Sequence, residues 1–81
     1  MKIVIKTFAS VKDICGFDEK EVVVSEGITA GEAVERLAAG FEALQKMKKT
    51  LLLAVNEGYV DRERVLLDGD VLAIFPPVSG G

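Results

Sequence analysis

Histidine is absent from this chain, cysteine occurs once and proline only twice, side by side near the end. Without histidine the chain lacks the commonest general base and metal ligand among side chains. A lone Cys15 excludes an internal disulfide and a cysteine cluster that could hold zinc, and fits a reducing, intracellular setting. As a nucleophile Cys15 would need a neighbouring base or a positive local field to become a thiolate. The other reading is a small, partly buried apolar residue. Catalysis by this chain alone is therefore not expected, and no metal site is expected either.

Long apolar runs are also missing. Nothing approaches the roughly 20 residues needed to span a bilayer, and Met1-Lys2 leads into alternation rather than a signal-peptide core. No membrane association and a cytoplasmic location are the expectations. The net charge of -3 would repel a phosphate backbone, and the lysines are scattered except at Lys46, Lys48 and Lys49, so nucleic acid is not an expected partner.

What is present is enough for one domain. A chain of 81 residues, 49% apolar and 28% charged, can bury roughly 60% of its unfolded surface in a single core. Lys2 to Phe8 alternates with period two and is rich in β-branched residues, which predicts a first strand. A polar connection from Ala9 to Lys20, with a helical turn around Val11 to Ile14, leads to a second strand at Glu21 to Val24. Thr29 and Glu32 have capping-box spacing and predict a helix start. Val34, Leu37, Ala38 and Phe41 then form one apolar stripe. Gly40 is expected to end that helix, with a second short helix over Phe41 to Met47 and Lys48-Lys49 at its negative end.

Leu51 to Val55 reads as a strand buried on both faces or in mid-sheet, followed by a turn at Asn56-Glu57-Gly58 and a short strand at Tyr59-Val60. Asp68-Gly69-Asp70 reads as a tight turn between a strand-like Val65-Leu66-Leu67 and a final strand Val71 to Phe75. Two aspartates around a glycine could also hold a cation, but the remaining oxygen ligands of a calcium loop are missing. The order strand, strand, helix, strand, short strands, final strand resembles the ubiquitin-like β-grasp. It predicts an α+β fold with a mixed sheet of 4-5 strands and one main helix across it; the resemblance further implies that the last strand lies beside the first.

The globular part is expected to span residues 1-75 and an extended tail residues 76-81. Pro76 and Pro77 lack amide protons and fix φ, so the sheet ladder must stop there. At roughly 3.3 Å per residue the tail can reach about 20 Å. Val78 and Ser79 are small, and Gly80 and Gly81 carry no side chain, so a narrow channel could admit the backbone up to a free carboxylate on Gly81. Such a carboxylate becomes an electrophile only after activation. The two glycines by themselves are equally compatible with a frayed or artificial terminus. The β-grasp pattern and the prolines argue for the carboxylate handle.

The run from Leu67 to Gly81, ending Pro76-Pro77-Val78-Ser79-Gly80-Gly81, resembles the C-terminal signature of the molybdopterin synthase small subunit, one of the ubiquitin-like sulfur carriers. Phe8-Ala9-Ser10-Val11-Lys12-Asp13 and Leu53-Ala54-Val55-Asn56 resemble further segments of that family, so the whole chain is covered. The resemblance implies a carrier, non-catalytic alone, whose Gly81 is adenylated with ATP by an E1-like adenylyltransferase and converted to a thiocarboxylate by a sulfur donor system. It implies that the tail then enters the large synthase subunit in a heterotetramer. There, two carrier turnovers would give cyclic pyranopterin monophosphate the dithiolene that later binds metal. By the same resemblance Gly81 carries sulfur, Gly80 gives clearance, and Phe75, Pro76, Pro77, Val78 and Ser79 dock the tail; no cofactor stays bound. Family members usually have arginine where this chain has Lys12, and lysine loses the bidentate geometry. The rival readings are the thiamin-pathway sulfur carrier, a ubiquitin-like protein modifier, and a binding module whose tail has no chemistry.

Overall fold

The computed structural model describes residues 1-77. Its elements are β1 (Lys2–Thr7), α1 (Ala9–Cys15), β2 (Glu19–Val23), α2 (Ala30–Ala38), α3 (Glu42–Met47) with a 3-10 turn at Lys48–Thr50, β3 (Leu52–Val55), β4 (Gly58–Val60) and β5 (Val71–Phe75). One mixed sheet runs in the order β2-β1-β5-β3-β4. Only β1 and β5 are parallel; the other neighbours are antiparallel. The expected α+β arrangement, with the last strand beside the first, is therefore what the chain adopts.

Period-two alternation divides the sheet into two faces. Ile3, Ile5, Leu53, Val55, Leu72 and Ile74 point to one face and meet Val11, Ala33, Val34, Ala38 and Leu44 from the helices in a single core. The capping box is formed: Thr29 Oγ1 accepts from the Glu32 amide at 3.1 Å and the Thr29 amide donates to Glu32 Oε1 at 3.0 Å. Of the predicted stripe, Val34 and Ala38 are fully buried while Leu37 and Phe41 pack at the core's margin. Gly31 lets the start of α2 lie against the loop after β4, since a Cβ there would meet Arg62 Cβ at 2.8 Å and its carbonyl oxygen at 3.0 Å. Lys48 pairs with Glu35 at 2.8 Å, which ties the 3-10 turn to α2.

Several expectations change. The turn foreseen near Val11 is a full helix, because Val11 and Cys15 fall on one buried side of α1. The second strand begins two residues earlier than expected, at Glu19. Val65-Leu66-Leu67 is not a strand of the sheet: Val65 bridges to Thr29, and the Leu66 amide donates to Ile28 O at 2.8 Å. The segment is apolar because Leu66 enters the core beside the approach to α2. β3 lies in mid-sheet, but Leu52 is exposed on its open face.

Both aspartates of the Asp68-Gly69-Asp70 turn serve the fold. Gly69 has φ +85, a left-handed conformation that glycine adopts without steric cost. Asp68 Oδ1 accepts from the Lys2 amide at 2.8 Å. Asp70, only 6% exposed, accepts from the Leu67 amide at 2.8 Å through Oδ2 and from Asn56 Nδ2 at 3.0 Å through Oδ1. Asn56 in turn exchanges bonds with Val71, its amide donating to Val71 O and its Oδ1 accepting from the Val71 amide, both at 2.9 Å. This network sets where β5 begins.

Replacing Asp70 by alanine leaves the partly buried Leu67 amide and the Asn56 side-chain amide without their acceptor, so Asp70→Ala is expected to cost about 1-2 kcal/mol. Urea unfolding followed by far-UV circular dichroism measures this; a loss below about 0.5 kcal/mol would show that the network does not hold the turn.

Candidate functional site

The sheet face away from the helices is where the end of β5 emerges. Val71, Ala73 and Phe75 alternate onto it, as do Leu52 and Ala54 from β3, Tyr59 from β4, and Val4 and Lys6 from β1. The parallel β1-β5 register pairs Thr7 with Ile74, which brings the next residues, Phe8 and Phe75, side by side. Their rings stack with centroids 4.5 Å apart and planes 11° apart. Tyr59 closes on Phe75 from the other side at 6.2 Å, tilted by 52°.

A cleft of about 500 Å³ opens over this cluster, with Ala54 and Ala73 as its floor and Lys6, Phe8, Tyr59 and Phe75 around it. The small alanines leave the depth that the aromatics surround. Tyr59 is 75% exposed and Phe8 and Leu52 are also exposed. Large apolar groups standing together at a surface characterise the centre of a protein interface. On its β2 side the patch is bordered by ion pairs, Lys6 to Glu19 at 3.6 Å and Lys12 to Asp18 at 3.8 Å, which supply a polar rim.

Of the sequence-predicted site residues, the structure places Phe75 at the centre of this cluster and Pro76 and Pro77 directly after it, beyond the last ladder residue. Pro76 is half-buried and Pro77 exposed. Val78, Ser79, Gly80 and Gly81 lie outside the described residues. Lys12 engages Asp18 on α1's exposed side. The contributions of Phe8 and Tyr59 to the cleft are not apparent from sequence reasoning on the tail. The usable signal was period-two alternation within each strand, which puts Tyr59 on the face of Phe75 and Phe8 in line with Lys6.

Titratable chemistry is sparse here. Among the described residues, no group of three or more histidine, cysteine, aspartate and glutamate side chains is arranged to hold a metal ion. Cys15 is buried under α1, and desolvation pushes its thiol above the ordinary value. The thiol form is thus favoured by the fold, and Cys15 lies on the helical side, away from the cleft. Because the unfolded thiol ionises first, this contribution to stability is complete below the ordinary thiol pKa and is lost as pH rises through the folded value. Alkylation of native protein at pH 8 with iodoacetamide is expected to run at least about tenfold slower than in denaturant. Equal rates would place the thiol at the surface.

Comparison with known proteins agrees with this geometry. The family model described as "ThiS family" matches residues 5–81. A molybdopterin synthase sulfur carrier subunit of Chlamydomonas reinhardtii is 34% identical, with all of both chains covered. SAMP1 of Haloferax volcanii superposes with a TM-score of 0.83 at 27% identity over the whole of both chains. A chain from the complex of subunits 1 and 2 of the molybdopterin-converting factor of Helicobacter pylori superposes with a TM-score of 0.68 at 22% identity, again over both chains entire, and shares the fold.

Proposed function

The chain belongs to the ThiS family, and from that membership we propose that it is the sulfur carrier subunit of a molybdopterin synthase. The observation that carries this reading is the aromatic cleft of Phe8, Tyr59 and Phe75 at the point where β5 gives way to Pro76-Pro77. A docking surface and a tail exit at the same strand end let one partner grip the body while it receives the tail. The match to the Chlamydomonas reinhardtii sulfur carrier subunit supports the cargo.

In this reading Gly81 is the terminal residue and its carboxylate is the working group. In an E1-like partner, one carboxylate oxygen attacks the α-phosphorus of ATP and pyrophosphate leaves. Hydrosulfide supplied by the donor system then displaces AMP from the acyl carbon, leaving a thiocarboxylate. The large subunit next receives the tail, the thiocarboxylate sulfur bonds to cyclic pyranopterin monophosphate, and water hydrolyses the resulting acyl thioester, which leaves the sulfur on the substrate and restores the Gly81 carboxylate; two rounds complete the dithiolene. The base and the substrate-binding groups belong to the partners. Phe75 and the segment 76–80 dock the tail, and the side-chain-free Gly80 and Gly81 pass the narrowest part of the channel. The Helicobacter pylori complex of subunits 1 and 2 supports a large-subunit partner. No helix among the described residues is long and apolar enough to cross a membrane; the proposed reading puts its work in the cytoplasm.

A second reading, a protein modifier joined to target lysines, is favoured by the likeness to Haloferax volcanii SAMP1, which a related structure names small archaeal modifier protein 1. Lysine conjugates of the chain in cell extracts would support it over the carrier alone.

Two variants test the carrier reading. Deleting Gly81 is expected to leave the unfolding curve unchanged and to abolish dithiolene formation in a reconstituted synthase; retained activity would move the working group elsewhere. Phe75→Ala is expected to weaken binding to the large subunit by about tenfold or more, read by isothermal calorimetry. Unchanged affinity would remove the cleft from the docking surface.

A further inference from the structure

Among the described residues, positive φ occurs at three glycines, Gly16, Gly27 and Gly69, and at three other residues, Ala9, Asn56 and Glu57. The two sets are separated in space. All three non-glycine residues border the site: Asn56 and Glu57 line the aromatic cleft, and Ala9 lines a recess of about 490 Å³ that shares Lys6 and Phe8 with it. None of the three glycines lines either hollow. A left-handed backbone costs a residue with a Cβ free energy that glycine avoids.

Asn56 has a reason within the fold. Asparagine tolerates this conformation, and its side chain binds Asp70 at 3.0 Å and Val71 at 2.9 Å. Ala9 and Glu57 have no such reason. Ala9, with φ +52, opens α1 directly after Phe8 and is exposed. Glu57, with φ +74, is the second residue of the β3-β4 turn, is exposed, and makes no ion pair among the described residues. The next residue, Gly58, has no positive φ, and a Cβ there would meet only Val55 O at 3.8 Å. The turn's glycine thus stands one place beyond the residue whose backbone calls for it. Strain kept at exposed residues beside a binding surface points to a use for their side chains.

We propose that Ala9 and Glu57 are specificity contacts for the large synthase subunit on the two sides of the cleft: the Ala9 methyl packs against an apolar group of that partner, and the Glu57 carboxylate receives an arginine or lysine from it. β1 and the β3-β4 turn lie on opposite sides of β5, so the two contacts straddle the strand from which the tail leaves. A partner that covers Phe75 and receives the tail is within reach of both. The sign of the charge sought follows from the cleft itself. Its other charged lining residue, Lys6, is engaged by Glu19 at 3.6 Å, which leaves the Glu57 carboxylate for a cation from outside. Stacked rings alone give non-directional apolar contact; a methyl on one side and a charge on the other fix the orientation of the docked body. The identity of the partner rests on the sulfur-carrier reading.

The test pairs urea unfolding of the full chain with calorimetric titration of the large synthase subunit from the same organism. Ala9→Gly and Glu57→Gly are each expected to raise the urea midpoint by roughly 0.3 M and yet to weaken binding by about threefold or more. A residue serving only the fold would not move stability and affinity in opposite directions. Glu57→Gln keeps the side chain's length, and is expected to weaken binding by about threefold at low salt and to flatten its salt dependence. The proposal is overturned if the glycine variants bind as tightly as the parent, if their midpoints do not rise, or if Glu57→Gln keeps the parent's affinity and salt dependence. Failure of the parent itself to bind would remove the carrier reading and this partner together; binding by the parent that the variants leave unaltered would remove the two contacts alone.

Discussion

The placement of β5 in the middle of the sheet is the constraint on which the rest depends. It is hydrogen-bonded to β1 on one side and β3 on the other, so its register is fixed twice. A slip of one residue would turn Leu72 and Ile74 out of the core and Phe75 into it. Asp70 and Asn56 prevent such a slip at the strand's beginning by binding the turn, the β3-β4 corner and Val71 into one network. With Val71 fixed, Phe75 four residues later must stand beside Phe8, and the prolines must leave from that place.

The same geometry explains how a small chain without histidine can serve a reaction. The core uses one face of the sheet and nearly all the large aliphatic residues. The other face is left with small residues in the middle and aromatics at the end, a surface suited to being covered by another protein. In the proposed reading, chemistry is confined to the Gly81 carboxylate. Cys15, buried and with its thiolate disfavoured, is a core residue on α1 and takes no part in it.

Much of the architecture was legible in the sequence because its signals are local. Alternation marked β1, Thr29 and Glu32 marked the start of α2, and Asp68-Gly69-Asp70 marked a turn with the apolar run of β5 after it. The full extent of α1 was missed because seven residues give little periodicity to read. Val65 to Leu67 looked like a strand because its burial is satisfied by the approach to α2, a contact distant in the chain. At the site, the end of the ladder before Pro76-Pro77 was legible from the prolines, whereas the cleft required three aromatics, at positions 8, 59 and 75, to be brought together by strand order. The Asn56-Asp70 bond spans 14 residues and likewise has no local signature.

The central claim is that Gly81 carries sulfur. Its most direct measurement is the intact mass of the chain after incubation with the E1-like partner, ATP and a sulfur donor, with fragmentation to locate any change. The account predicts the gain from exchanging one oxygen for one sulfur, confined to Gly81 and absent without ATP. An unmodified terminus under conditions that activate a known carrier, or sulfur found on Cys15 instead, would contradict it.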